Sequence, residues 1–172
     1  MTENFREALF TAQDDYPADK LADHRMEQYK LYLEMADRIS SRRQTANSYF
    51  LTLNTVLLSL VSYLSLGTEQ KKWYWLVAIA GIVLSYMWYR LIRSYKNLNS
   101  AKFKVIHEIE AKLPMAPYDA EWEAIGRGKA PELYLPFTHV EIYVPWVFIT
   151  LHAAVVLQCI PWDKVLALST KT

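Results

Sequence analysis

The chain has 172 residues, 52% hydrophobic and 14% aromatic, against 22% charged and a net charge of +1. That balance excludes a disordered chain, and its interleaved Lys/Arg and Asp/Glu residues offer no basic field for nucleic acid. The single cysteine, Cys159, can form neither an internal disulfide nor a thiolate metal site alone, and reads as a small residue in an apolar helix.

The N-terminus opens with Glu3, Arg6 and Glu7 instead of the basic and apolar stretches of a secretion signal. The expectation is that nothing is cleaved and that the first membrane helix acts as its own insertion signal. Residues 1–46 read as a cytoplasmic amphipathic helical region. Ala22, Met26, Tyr29, Leu33 and Ala36 recur at alternating steps of four and three, with Asp23, Glu27, Lys30, Glu34 and Asp37 elsewhere on the cylinder. This predicts a helix from about Ala18 continuing into the membrane. Asp37, Arg38, Arg42 and Arg43 form a charged collar at its membrane end, with Asp37 expected to pair with one of the arginines.

Residues 47–93 read as a transmembrane hairpin with spans at about 47–67 and 73–90. No acidic or basic side chain occurs from Gln44 to Thr68, and the run is long enough to cross a hydrocarbon core of roughly 30 Å. The second span carries Trp73, Tyr74 and Trp75 at one end and Tyr86, Trp88 and Tyr89 at the other, the pattern of two membrane interfaces. Lys72 and Arg90 extend it by reaching to the headgroups. Along the first span Ser48, Thr52, Thr55, Ser59 and Ser62 make one polar stripe, with Asn47 and Asn54 beside it. Small residues of this kind suit close helix packing and hence an oligomer interface; the alternative is the lining of a lumen. Gly81 and Ser85, four apart on the second span, form a small-residue pair for helix packing.

Residues 94–137 read as a cytoplasmic helix and a Pro-rich loop. Leu98, Ala101, Val105, Ile109 and Leu113 repeat the helical spacing, and Pro114 and Pro117 end it. The two amphipathic extensions are expected to pair by their apolar stripes. Residues 138–162 read as a third transmembrane helix, from about Val140 to Ile160, with a re-entrant or interfacial segment as the alternative; residues 163–172 are a tail. His152 is then a polar group at membrane depth, either hydrogen-bonded to another helix or a proton or ligand site. Arg38, Arg42 and Arg43 before the first span, and Arg90, Arg93, Lys96, Lys102 and Lys104 after the second, place both flanks in the cytoplasm. A crossing third helix puts the C-terminus in the periplasm.

No phosphate-binding glycine loop, paired-histidine metal motif or glycine-flanked serine is present, so no catalytic, cofactor or metal residues are assigned. The stretch from Tyr29 to Asn54 contains Met35-Ala36-Asp37-Arg38-Ile39-Ser40, Arg42-Arg43, Ala46-Asn47 and Leu53-Asn54-Thr55. With the second span and the Trp88 to Asn99 region, it resembles the RipA family of octameric bacterial inner-membrane proteins. The resemblance implies a homo-octamer in the cytoplasmic membrane, without a defined activity or catalytic residues. A looser similarity is to the two-helix membrane effectors of anti-phage systems, which disrupt membranes. Together these readings predict an all-α integral membrane helical protein whose partners are the lipid bilayer and its own copies, acting as a scaffold; the alternative is a channel or pore-forming effector.

Overall fold

The computed structural model describes residues 2–10, 16–65, 74–129, 132–134 and 140–160. The turn expected between the first two spans, Trp73, His139 and the tail at 163–172 lie outside the described residues. All regular structure among the described residues is helical: α1 (Thr2–Leu9), α2 (Ala18–Ser65), α3 (Tyr74–Glu110), α4 (Pro117–Ala124), a 3-10 turn at Gly126–Gly128, and α5 (Val144–Gln158). By length and composition, α3 is the one described helix that suffices to cross a membrane, and α5 is apolar but shorter. The first expected span lies in α2. The described part of that span stops at Ser65.

The chain divides into two compact units, Met1–Arg43 with Tyr95–Pro136, and Gln44–Ser94 with Phe137–Thr172. The first is built on the stripes read from the sequence. Tyr29 and Ala36 of α2 and Ile106 and Ile109 of α3 form its buried core, with Leu33, Val105, Leu113 and Tyr118 packed around them. Met26 and Leu98 belong to the same periodic sets but remain exposed. Lys102 is buried and places its ammonium 4.6 Å from the centre of the Tyr32 ring, so the ring face supplies the attraction that burial removes from water. Helix α1 is held by Arg6, whose guanidinium lies 2.7 Å from the Glu108 carboxylate, and by Leu9 against the core.

The Pro-rich segment is not simply a loop, because it contains α4. Pro117 opens the helix, where its missing N–H costs nothing, but Ala116 before it has no capping side chain. The cap comes from α3. The Glu110 carboxylate accepts from the Tyr118 N–H at 3.0 Å and from the Asp119 N–H at 3.0 Å, the two donors that a local cap would meet. The Tyr29 hydroxyl donates to the same carboxylate at 2.6 Å. Glu110 is 1% exposed, so three donors satisfy a charge removed from water. The positive φ of Arg127 (51°) turns the chain after α4, and its guanidinium pairs with Asp119 and Glu123.

Burial, and then the hydrogen bond to Glu110, raise the Tyr29 phenol well above its ordinary value. A raised acid is stabilising while protonated. Its contribution is complete below about pH 10, the ordinary tyrosine value, and is lost as pH rises beyond it. Alkaline titration followed by circular dichroism is expected to show this unit unfolding above about pH 10, with a late-titrating phenol in the ultraviolet spectrum that Tyr29→Phe removes. A Tyr29 that titrates together with the exposed tyrosines contradicts this account.

The second unit packs α2, α3 and α5. Between α2 and α3, the Phe50 and Trp88 rings stack with centroids 6.0 Å apart and planes 7° from parallel. Helix α5 runs antiparallel to α3: Trp146 meets Tyr89 (ring centroids 5.3 Å apart), Phe148 meets Trp88 (6.1 Å), His152 meets Gly81, and Cys159 meets Tyr74. Pro145 lies in the first turn of α5, where its missing N–H would have had no intrahelical acceptor, so no carbonyl is orphaned.

Candidate functional site

The polar residues expected along the first span separate into two sets with different surroundings. Asn47 and Asn54 face the other helices of the unit. The Asn47 Oδ1 accepts from the Trp88 indole N–H at 2.9 Å, and the Asn54 Oδ1 accepts from the Ser85 hydroxyl at 2.8 Å. The Asn54 amide also donates to the Phe50 carbonyl at 2.9 Å. Asn54 and Ser85 are fully buried. In an apolar bundle such pairs remove the cost of burying amide and hydroxyl groups and fix one register between two helices.

Ser48, Thr52, Thr55, Ser59 and Ser62 form the other set, and all five are exposed on the protomer. Three return their hydroxyls to their own helix. Thr55 donates to the Leu51 carbonyl at 2.8 Å, Ser59 to Thr55 at 2.9 Å and Ser62 to Leu58 at 2.9 Å. Bonding to the carbonyl four residues earlier leaves, from Thr55 to Ser62, a face of small side chains whose donors are already engaged. Tyr49, Val56, Leu60 and Tyr63 flank it, also exposed.

Gly81 and Ser85 are both buried, and each meets a different helix. Ser85 bonds Asn54 of α2, while Gly81 receives the imidazole of His152 from α5 so closely that a Cβ at position 81 would lie 2.3 Å from the ring atoms Cε1 and Nε2. His152 has no exposed surface, and neither of its ring nitrogens has a hydrogen-bond partner among the described residues. Among the described residues it makes no bond to another helix. Its contact with α3 is steric, through the missing side chain of Gly81.

The arginines of the expected headgroup collar have separate partners. Arg38 pairs with Glu34 at 2.6 Å, one turn earlier, in place of the pair expected from Asp37; Arg42 is exposed and Arg43 half-buried. Glu34 precedes its arginine by four residues, the orientation that favours helix ion pairs. Arg90 and Arg93 reach the hydroxyls of Tyr86 (3.4 Å) and Tyr89 (3.3 Å), and Arg93 also lies over the Tyr89 ring. With Trp146 on Tyr89, this end of the second unit gathers tyrosine, tryptophan and arginine, the composition of a membrane interface.

Sequence reading missed two contacts that organise these sites. The Gly81–His152 contact joins residues far apart in sequence, and no spacing rule links them. Glu110 did leave a signal: a carboxylate at a helix C-terminus opposes the helix dipole, and a helix beginning Ala116-Pro117 needs a cap from elsewhere. Among the described residues no cluster of His, Cys, Asp and Glu has the arrangement of a metal site.

No curated protein and no solved structure matches the chain. A family model, described as the octameric membrane protein family, matches residues 26–161, which include α2 from its third turn, all of α3 and α4, and all of α5. The apolar α3, the tyrosine, tryptophan and arginine belt and this match agree, and the chain belongs to the octameric membrane protein family.

Proposed function

We propose that this protein is a homo-octameric scaffold of the bacterial cytoplasmic membrane, assembled through the exposed Ser/Thr face of α2 and carrying out no reaction of its own. The observation that carries this reading is the return of the Thr55, Ser59 and Ser62 hydroxyls to their own helix. Such a face is small enough for a second helix to approach closely, and these three hydroxyls need no water to satisfy their donors, which favours dry packing over a wetted lumen.

The reading includes three crossings, by α2, α3 and α5, with the N-terminus in the cytoplasm and the C-terminus in the periplasm. The antiparallel contacts from Trp146 on Tyr89 to Cys159 at Tyr74 support it, because α5 traverses the same depth as the apolar part of α3. The arginines and lysines on both flanks set the orientation. The family's octameric self-association supports the homo-oligomer.

Replacing Thr55 and Ser59 together with leucine is expected to move the detergent-solubilised protein from octamer to smaller species in native mass measurements. Vesicles containing the wild-type protein are expected to hold an ion gradient across pH and applied voltage. Ion leakage that the same double replacement abolishes overturns the scaffold reading and favours a channel lined by this face.

A further inference from the structure

We propose that His152, Asn54 and Ser85 form an internal polar site within the second unit that binds one water molecule, or a neutral hydrogen-bonding molecule of that size, at membrane depth. The proposal concerns a single protomer and does not depend on how copies assemble.

His152 is fully buried, and both ring nitrogens lack a partner among the described residues. A neutral imidazole presents one N–H donor and one lone pair, and lipid can satisfy neither. A neighbouring copy cannot reach a side chain with no exposed surface. A small molecule held inside the bundle is the partner that fits these groups.

The same unit contains the complementary groups. His152 rests on Gly81, and Ser85 lies one turn further along the same helix, a rise of about 6 Å. One water bridging two groups through hydrogen bonds of about 2.8 Å spans nearly that length. The Asn54–Ser85 pair is only partly used. Asn54 has given one amide hydrogen to Phe50 and its oxygen to Ser85, so it retains a second hydrogen; the Ser85 oxygen, acting as donor, retains its lone pairs. A molecule between His152 and this pair meets a donor and acceptors on one side and an imidazole edge on the other, the two to four partners that buried water requires.

Gly81 supports the assignment. Its missing side chain admits the ring, and a larger apolar residue at position 152 would fill the same space without introducing a polar group. An unsatisfied imidazole in that position is costly unless something completes its hydrogen bonds.

The test is water-edited magic-angle-spinning NMR on the full-length protein in lipid bilayers with ¹⁵N-labelled histidine, the His152 signals being identified by their loss in His152→Phe. Expected are rapid polarisation transfer from water to the His152 ring and ring ¹⁵N shifts of a hydrogen-bonded neutral imidazole. Ser85→Ala, a small change that leaves Gly81 intact, is expected to reduce that transfer several-fold. A His152 ring with the shifts of a free imidazole and no transfer from water overturns the proposal, as does a shift pattern reporting a direct bond to a protein group. The wild-type spectrum alone decides between these outcomes if Ser85→Ala does not fold.

Discussion

Gly81→Ala is expected to be among the most disruptive single-methyl changes available in this chain. The added Cβ occupies the volume of the His152 ring, and the ring is enclosed by α3 and α5 and cannot swing to solvent. The two helices must separate, or the ring must leave its rotamer, and overpacking of that kind costs roughly 1–3 kcal/mol, here toward the upper end. Denaturation in mixed micelles, followed by circular dichroism, measures the loss. The decisive comparison is the double variant with His152→Ala, which empties the space that the new methyl needs. Each single change is expected to destabilise, and the pair to be more stable than their sum predicts by about 1–3 kcal/mol, the coupling typical of residues in contact. Strict additivity contradicts the packing described above.

Glu110→Ala is expected to release α4. The substitution leaves three groups without their acceptor: the Tyr29 hydroxyl and the amides of Tyr118 and Asp119. Hydrogen bonds to a charged group are worth about 1.5–3 kcal/mol each, and losses from one acceptor do not add, so a cost of about 3–5 kcal/mol to the first unit is expected. Hydrogen exchange provides the local measurement, with the Tyr118 and Asp119 amides losing protection before the core around Ile106. Glu110→Gln is expected to lie between, since its oxygen still accepts while its NH₂ confronts a donor. Unchanged protection at residues 118 and 119 in Glu110→Ala would show that α4 does not depend on this cap.

The contrast between these two sites and the rest of the molecule shows what a sequence of this type reveals. The periodic residues Tyr29, Leu33 and Ala36, and Val105, Ile109 and Leu113, announce their helices because a buried stripe must recur with the helical repeat. The membrane character is equally legible, since an uncharged stretch bounded by Tyr and Trp has few other uses. The polar stripe was visible as a set, but its division was not. Asn47 and Asn54 stand next to Ser48 and Thr55, about 100° around the helix from them, and only the partners Trp88 and Ser85 determine that the amides turn inward. The cap of α4 was hidden for a related reason. Its acceptor belongs to another helix, so the local signal was the absence of a capping side chain at Ala116.

In the three-crossing octamer proposed above, the short α5 carries a consequence for the surrounding lipid. Its fifteen residues rise only about 22 Å, against a hydrocarbon core of roughly 30 Å, and it matches the distance between the Tyr74 and Tyr89 levels of α3. Crossing helices of this length draw the two leaflets together, at a fraction of a kcal/mol for each ångström of mismatch. An isolated protomer bears that deformation around its whole perimeter, whereas eight copies share one rim and leave less lipid strained per chain. Bilayer thickness thereby becomes a force for assembly, acting alongside the contacts between helices, and it directs such a protein toward thinner membranes.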